Sequence, residues 1–402
     1  MFGLGGSSFS LRAVHPSNER GGWLSREHNS LKGSFVVPLQ VQVNHKNSIQ
    51  KKWYPSKHFQ YYSQRSYALV NNEGNVEKQS YKQDRLEHDY SSKHEDVYNG
   101  QLGKLYALYR FTRPYAVMSL GVAITSASCL PVETISEISP TFLVEVLKAF
   151  IPTFLAHIYV VGINQLYDLE IDKANKKRLP IASGVLPIGT AKAIVLIATL
   201  LSLSMGVMSK SPALLCGILA SLMYGTIYSV DLPFLRWKRD PILTAAITGF
   251  WCGIGNIIPY FIHAQKYILG KPIIITKSLI FGSAVMYLHG IAISIFKDIP
   301  DVDGDKQSSI ITLSVRLGKE KAFSLGINTL LIAYGLGMIM GISSSSSLLF
   351  KLTTILGQSA IAAVLLLQSR TVDLTAKLSV QSFFMLIWKL VSAEYLLLQF
   401  AR

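Results

Sequence analysis

The chain has 402 residues, of which 50% are hydrophobic and only 16% are charged, against about 25% charged in a typical soluble protein. Its formal net charge is +15, but the basic residues form no aromatic-interleaved patch or recognition-helix signature, which argues against a nucleic-acid-binding protein. The three cysteines lie in apolar stretches without metal-ligand spacing, which is typical of small core residues.

The first 70 residues differ in composition from the rest. They contain nine Lys or Arg, eleven Ser and only two acids, Glu19 and Glu27, with no long apolar run. This composition predicts a disordered organelle transit peptide, and Gly and Ser near the start favour a plastid; an ordinary disordered tail is the alternative. Residues 71–105 mix both signs of charge and predict a solvated polar linker. The membrane domain then comprises residues 106–402.

From residue 113 onward, apolar stretches of membrane-spanning length recur, most of them bounded by charge. They predict an all-α integral membrane protein with about nine transmembrane helices, since a soluble helical core would not contain so many nearly uncharged segments. The predicted helices are 114–132, 141–167, 193–209, 212–230, 242–262, 278–296, 322–342, 352–369 and 378–400.

Charge in the loops predicts the orientation of the helices. The loops after the even-numbered helices hold fifteen Lys and Arg, and the opposite loops hold five, so the basic side is expected to face the cytosol or the stroma. Two acidic segments, residues 164–172 and 297–305, lie on that same side, after the second and the sixth helix. Their offset predicts two four-helix halves, each contributing one acidic loop to a central cavity.

The first acidic segment has a helical spacing. Asp168 and Asp172 are four residues apart, and Asn164 is one turn earlier on the same face. Glu170 lies off that face. Carboxylates at the end of a transmembrane helix are costly unless they bind something, and a ladder of this kind is suited to Mg²⁺.

The second acidic segment repeats this spacing with Asp301 and Asp305, and Asp298 lies one turn earlier. If the segment is helical, Asp303 lies on a different face from Asp301 and Asp305, and Gly304 weakens the prediction of a continuous helix. One Asp-x-x-x-Asp is a weak signal, but two on the same side of a helix bundle are much stronger. Because Mg²⁺ held by carboxylates commonly binds a substrate phosphate, the two segments predict a site for a diphosphate.

A diphosphate beside carboxylates also requires basic groups. Arg178 and Lys297 are the best placed by sequence, with Lys176 and Lys177 as alternates that also fit a basic loop. The basic run at residues 236–239 is interpreted as a topology signal rather than as a set of ligands.

The two acidic segments closely resemble those of plant plastid aromatic prenyltransferases of the UbiA type, which include homogentisate phytyl- and geranylgeranyltransferases and related flavonoid and coumarin enzymes. The resemblance covers residues 110–402 and includes Arg113-Pro114 and the stretches 179–184 and 388–395. It implies a Mg²⁺ cofactor, a prenyl diphosphate donor, a phenolic acceptor and a plastid membrane location.

The resemblance also implies residue roles. One Mg²⁺ would be held by Asp168 and Asp172 with Asn164, and the other by Asp301 and Asp305. These five positions match the acidic motifs of the family.

Other roles complete the expected site. Lys297 and Arg178 would neutralise the departing diphosphate, and Asp298 would assist deprotonation of the acceptor or act as a third acidic ligand. Lys177 is expected to contact substrate. Tyr228 would line the pocket, although an interfacial tyrosine is the equal alternative.

The predicted substrates depend on two positions at which this chain differs from homogentisate prenyltransferases. Homogentisate enzymes usually have Pro and Glu where this chain has Lys177 and Val185. The departures favour transfer of a dimethylallyl or geranyl group to a flavonoid, coumarin or related phenol. Homogentisate prenylation in tocopherol or plastoquinone synthesis is the alternative. An ion-coupled membrane carrier is the remote alternative, since it would need charges near the middle of the bilayer.

Overall fold

The computed structural model describes residues 101–307, 310–343 and 347–401. Within these ranges every regular element is a helix. The predicted transit peptide at 1–70 and residues 71–100 of the predicted linker lie outside the described residues. The first described helix begins at Gln101, inside the predicted linker.

The helices agree with the predicted spans. Eight helical segments of the described chain are long and apolar enough to cross a membrane, and the shorter apolar helix Pro114–Cys129 makes nine. In chain order the helices are α1 (Gln101–Phe111), α2 (Pro114–Cys129), α3 (Pro140–Tyr167), α4 (Leu169–Asn175), α5 (Ile188–Met208), α6 (Pro212–Ser229), α7 (Pro241–Phe250), α8 (Ile258–Ile262), α9 (Lys277–Phe296), α10 (Val302–Gln307), α11 (Leu313–Leu317), α12 (Lys319–Ser343), α13 (Leu348–Ser369) and α14 (Lys377–Leu397).

Local sequence explains where several of the long helices begin. Ser139, Ser211 and Asp240 are N-caps whose side chains accept backbone N–H bonds from the first turn, and a proline follows each of them. Lys210 has a left-handed backbone with φ of 54°, which separates α5 from α6. The short predicted gap between the third and fourth spans is therefore confirmed.

The fifth span is less regular than predicted. It continues from α7 through a π-helical segment, Trp251–Gly255, then α8 and a second π-helical segment, His263–Ile268. Pro259 has no N–H and its ring conflicts with the carbonyl four residues earlier, which belongs to Gly255. The regular hydrogen-bond pattern therefore cannot run through this point.

The helices pack in two sets, which contact each other on two sides. In the first set, α3 contacts α2, α5 and α6, and in the second set α12 contacts α9 and α13. Contacts between α7 and α9 join the sets on one side, and contacts between α2 and α14 join them on the other. The acidic segments follow α3 and α9, and α4 and α10 touch each other. The packing therefore brings the two acidic segments together.

A buried polar pair lies within the second set. Glu394 of α14 is fully buried, and Gln358 Nε2 of α13 donates a hydrogen bond to its Oε1 at 2.8 Å. Polar side chains inside transmembrane helices are costly unless they are paired in this way. The pair therefore fixes the contact between α13 and α14.

Replacing Glu394 with leucine is expected to lower the free energy of unfolding by about 1–3 kcal/mol, because the buried Gln358 amide loses its acceptor. The matched control is Glu394→Gln, which keeps an acceptor oxygen and nearly the same volume. The melting temperature of the purified protein in detergent measures the effect. A leucine variant as stable as the glutamine variant would contradict this prediction.

Candidate active site

The first acidic segment begins where α3 ends. Asp168 has φ of −100° and ψ of 10°, so the helix is interrupted there and α4 begins at Leu169. Asn164 Nδ2 donates to Asp168 Oδ2 at 2.9 Å, and Arg113 Nη2 donates to Asn164 Oδ1 at 2.9 Å. In the sequence, only the family resemblance pointed to Arg113. The structure places its guanidinium beside the predicted ligands, where it holds the Asn164 oxygen.

Two residues of the basic run 236–239 reach Asp168. Lys238 Nζ forms a close ion pair with Asp168 Oδ1, and Arg236 Nη2 lies 3.5 Å from the same oxygen. Burial lowers the pKa of the Lys238 ammonium to about 8, although Asp168 opposes this shift. Two members of the run interpreted as a topology signal therefore contact a predicted metal-binding aspartate. Arg236 also pairs with Asp231, as does the exposed Arg239.

Lys176 joins the two acidic segments. Lys176 Nζ lies 2.9 Å from Asp301 Oδ2 and 3.8 Å from Asp172 Oδ1. Both carboxylates are buried. Burial raises the pKa of Asp172, and Lys176 and Arg113 oppose that rise. Burial lowers the pKa of Lys176, but Asp301 and Asp172 outweigh it and the net pKa is raised. The lysine is therefore positively charged between two acids from opposite halves.

Tyr228 lies between lysines from both halves. Lys297 Nζ is 5.4 Å from the centroid of the Tyr228 ring, and Lys238 Nζ is 5.9 Å from it. Lys297 Nζ also lies 2.8 Å from Asp298 Oδ1. Ammonium groups at these distances are attracted by the face of the ring. The predicted residues Lys297, Asp298 and Tyr228 are thus close to one another and to Lys238.

The remaining acids of the second segment face different ways. Asp305 is buried, with 6% of its surface exposed. Asp303 is exposed, and its Oδ2 lies 3.2 Å from Lys319 Nζ on α12. The 3₁₀-helix Ile299–Asp301 and α10 produce this separation.

Two predicted basic residues lie at the edge of the site. Lys177 and Arg178 are exposed on the loop that follows α4. In the described part of the chain, no ion pair involves Lys177, whereas its neighbour Lys176 contacts both acidic segments. The structure therefore favours Lys176 over Lys177 for contact with a charged ligand.

The acids fit a divalent cation by the chemistry of their oxygens. Asp172 Oδ2 and Asp301 Oδ1 are buried and accept no hydrogen bond from the described residues, although Lys377 Nζ lies 3.5 Å from Asp301 Oδ1. Across the same ranges, no three His, Cys, Asp or Glu side chains converge as a ready-made metal cluster, and Lys176 lies between the two acids. Mg²⁺ prefers oxygen ligands and uses one or two carboxylates together with substrate phosphates. The residues therefore fit Mg²⁺ that is held jointly by protein and a phosphate-bearing ligand.

Comparison with known proteins agrees with this geometry. The pattern of the UbiA prenyltransferase family matches residues 122–390. The chain is 44% identical over 320 residues to coumarin 8-geranyltransferase 1, chloroplastic, of Citrus limon, a match that covers 78% of each chain. It is 39% identical over 296 residues to homogentisate phytyltransferase 1, chloroplastic, of Arabidopsis thaliana, covering 74% of this chain and 75% of that one.

The fold is also shared with a solved protein. A UbiA homolog from Archaeoglobus fulgidus bound to GPP and Mg²⁺ has a TM-score of 0.50 and 17% identity, covering 73% of this chain and 99% of that chain. The family match spans more than half of the sequence and includes both acidic segments. The chain therefore belongs to the UbiA prenyltransferase family.

Proposed function

We propose that this aromatic prenyltransferase transfers a dimethylallyl or geranyl group from its diphosphate to an aromatic carbon of a phenol such as a coumarin or flavonoid. The observation that carries the proposal is the contact of Lys176 with both Asp172 and Asp301, which makes one charged site from two segments. Similarity to chloroplastic coumarin 8-geranyltransferase supports the acceptor class and a plastid membrane location.

The basic residues bind the diphosphate of the donor. Lys176, Lys238 and Lys297 each pair with an aspartate of the site. When a phosphate group enters between them, each lysine can exchange its aspartate for the phosphate. Their charges stabilise the negative charge that develops on the departing diphosphate as the allylic C–O bond breaks. Asp168, Asp172, Asp301 and Asp305 would hold Mg²⁺, which would supply further positive charge to the departing diphosphate.

The acceptor then reacts through carbon. Loss of diphosphate leaves an allylic cation, which the ring carbon ortho to a phenol hydroxyl attacks before the ring proton is lost. Asp298, held by Lys297 at 2.8 Å, is the proposed group that assists deprotonation of the phenol. The surrounding helices exclude water, which would otherwise convert the cation to an alcohol.

Homogentisate is the second candidate acceptor. The 39% identity to homogentisate phytyltransferase 1 supports it. Lys177 and Val185, where homogentisate enzymes usually have Pro and Glu, favour a different phenol. Donor length separates the candidates, since the phytyl chain has four isoprene units and the geranyl chain has two.

Membranes that contain the chain should prenylate a coumarin or a flavonoid when dimethylallyl or geranyl diphosphate and Mg²⁺ are supplied. Homogentisate and phytyl diphosphate are tested in parallel, and EDTA is added to one arm, followed by chromatography and mass spectrometry. Product only from homogentisate and phytyl diphosphate would establish the second candidate. Activity that persists in EDTA would contradict the Mg²⁺ requirement, and no product from any pair would favour an ion carrier.

A further inference from the structure

Three aromatic rings form a continuous column that begins at the charged site. Tyr228, beneath the Lys297 ammonium, lies 5.6 Å from Tyr224 by ring centroids. Tyr224 lies 5.2 Å from Trp251, and the two ring planes differ by only 7°. All three side chains are half-buried, so part of each ring is free to contact a ligand.

Trp251 is held firmly at the far end of this column. It begins the π-helical segment Trp251–Gly255, a feature that is frequent at functional sites. A Cβ on Gly255 would lie 2.8 Å from the indole Cε3, so the indole lies directly against the backbone there. Tyr224 covers the ring by stacking. The indole is therefore restricted from two sides.

The backbone that carries Trp251 is fixed as well. A Cβ on Gly253 would lie 2.3 Å from the Ser283 carbonyl oxygen, so the π-helical segment is in close contact with α9. Tyr395 of α14 donates a hydrogen bond to the Cys252 carbonyl at 3.3 Å. The backbone position of Trp251 thus depends on the packing of its neighbours Cys252 and Gly253 against two other helices.

The length of the column matches short prenyl chains. Its centroid steps of 5.6 and 5.2 Å place Trp251 at most about 11 Å from Tyr228. With carbon–carbon bonds of about 1.5 Å, one extended isoprene unit spans about 5 Å. A donor with its diphosphate at the lysines would reach Trp251 with its second unit, and a donor with four units would have to pass it.

We propose that Trp251 determines donor length, closing an aromatic wall that accommodates one or two isoprene units and obstructs four. This inference rests on the proposed function, because it takes the diphosphate to lie at the charged site. Trp251 is a specificity-determining residue that contacts the prenyl chain and takes no part in bond breaking.

The test compares donors of different length on one acceptor. Trp251→Ala is expected to raise the ratio of kcat/KM for geranylgeranyl diphosphate to that for geranyl diphosphate by at least about 10-fold. This is the smallest change in discrimination expected when a pocket gains or loses room for one methylene group. Trp251→Phe should raise it less, and it serves as the second variant if the alanine protein does not fold. Phe250→Ala is the matched control, since Phe250 is the adjacent aromatic residue and is 46% exposed.

The outcomes separate this inference from the proposed function. An inactive wild-type protein would overturn both. An active wild type whose donor ratio is unchanged in both Trp251 variants would overturn the inference alone. A change in the KM of the phenol with no change in donor ratio would assign Trp251 to the acceptor and would also overturn it.

Discussion

Asp301→Asn is expected to reduce kcat/KM for prenyl transfer by at least about 100-fold, which corresponds to about 3 kcal/mol of transition-state stabilisation. Asp301 is 4% exposed, and its Oδ1 lies 3.5 Å from Lys377 Nζ without accepting a hydrogen bond from the described residues. Its other oxygen lies 2.9 Å from Lys176. Asparagine keeps the shape of the side chain but removes the charge that pairs with Lys176 and Lys377 and that we propose to bind Mg²⁺.

The matched control for this variant is two residues away. Asp303→Asn removes the same charge from an exposed side chain that pairs with Lys319, and its activity should stay within about 3-fold of wild type, since exposed ion pairs contribute little. The concentration of Mg²⁺ needed for half-maximal activity should rise for Asp301→Asn only. Equal losses in the two variants would show that net charge of the loop, rather than a bound ligand, is responsible.

Most of the fold could be predicted because hydropathy and length are local properties. The spans agreed with the structure, but some ends moved: the helix predicted from residue 193 begins at Ile188. Its first turn contains Gly189 and Thr190, which are not apolar, yet the backbone continues its helical hydrogen bonds through them. Hydropathy marks the part of a helix that contacts lipid and does not mark the polar turn before it.

The irregular fifth span depends on contacts that sequence alone does not show. Pro259 is visible as a helix breaker, but the π-helical form of Trp251–Gly255 also involves close contact of Gly253 with the Ser283 carbonyl. That contact joins segments about thirty residues apart in the chain. The stacking of Trp251 on Tyr224 likewise joins residues that are distant in the chain.

The sequence predicted the position of the acidic residues of the site better than that of the basic residues. Asn164, Asp168 and Asp172 follow one another at intervals of four residues, and their spacing alone predicted a common face. Backbone hydrogen bonds from Asp168 to Asn164 and from Asp172 to Asp168 keep this spacing across the break between α3 and α4. Lys238 is 70 positions from Asp168 along the chain, yet the two form an ion pair. A basic residue in a loop satisfies the orientation rule wherever it points, so the sequence could not show that Lys238 contacts Asp168.

Neighbouring lysines illustrate the same difficulty. Lys176 and Lys177 follow α4 directly and have the same chemistry. The backbone N–H of Lys176 bonds to the Asp172 carbonyl, which continues the turn and keeps its side chain on the acidic side. Lys177 lies beyond that turn, and among the described residues no ion pair involves it, whereas Lys176 pairs with Asp172 and Asp301. A difference of one position in the sequence therefore decides which of the two lysines contacts both acidic segments.

Lys238→Met is expected to lower kcat/KM by about 100-fold, the effect of removing one positioned group that stabilises developing negative charge. Methionine keeps most of the side-chain volume, so the change isolates the ammonium that pairs with Asp168 and lies 5.9 Å from the Tyr228 ring. Lys238→Arg should retain most activity, because guanidinium also binds carboxylate and phosphate.

The matched control is Lys177→Met, the same substitution at an exposed lysine, which should change activity by less than about 3-fold. Steady-state rates at saturating Mg²⁺ and acceptor, with the donor varied, measure both variants, and inhibition by inorganic diphosphate reports binding of the leaving group. Lys238→Met should weaken that inhibition as well as slow transfer. If Lys177→Met were the more damaging change, the diphosphate would bind along the exposed loop after α4, and the assignment of Lys238 to the site would be wrong.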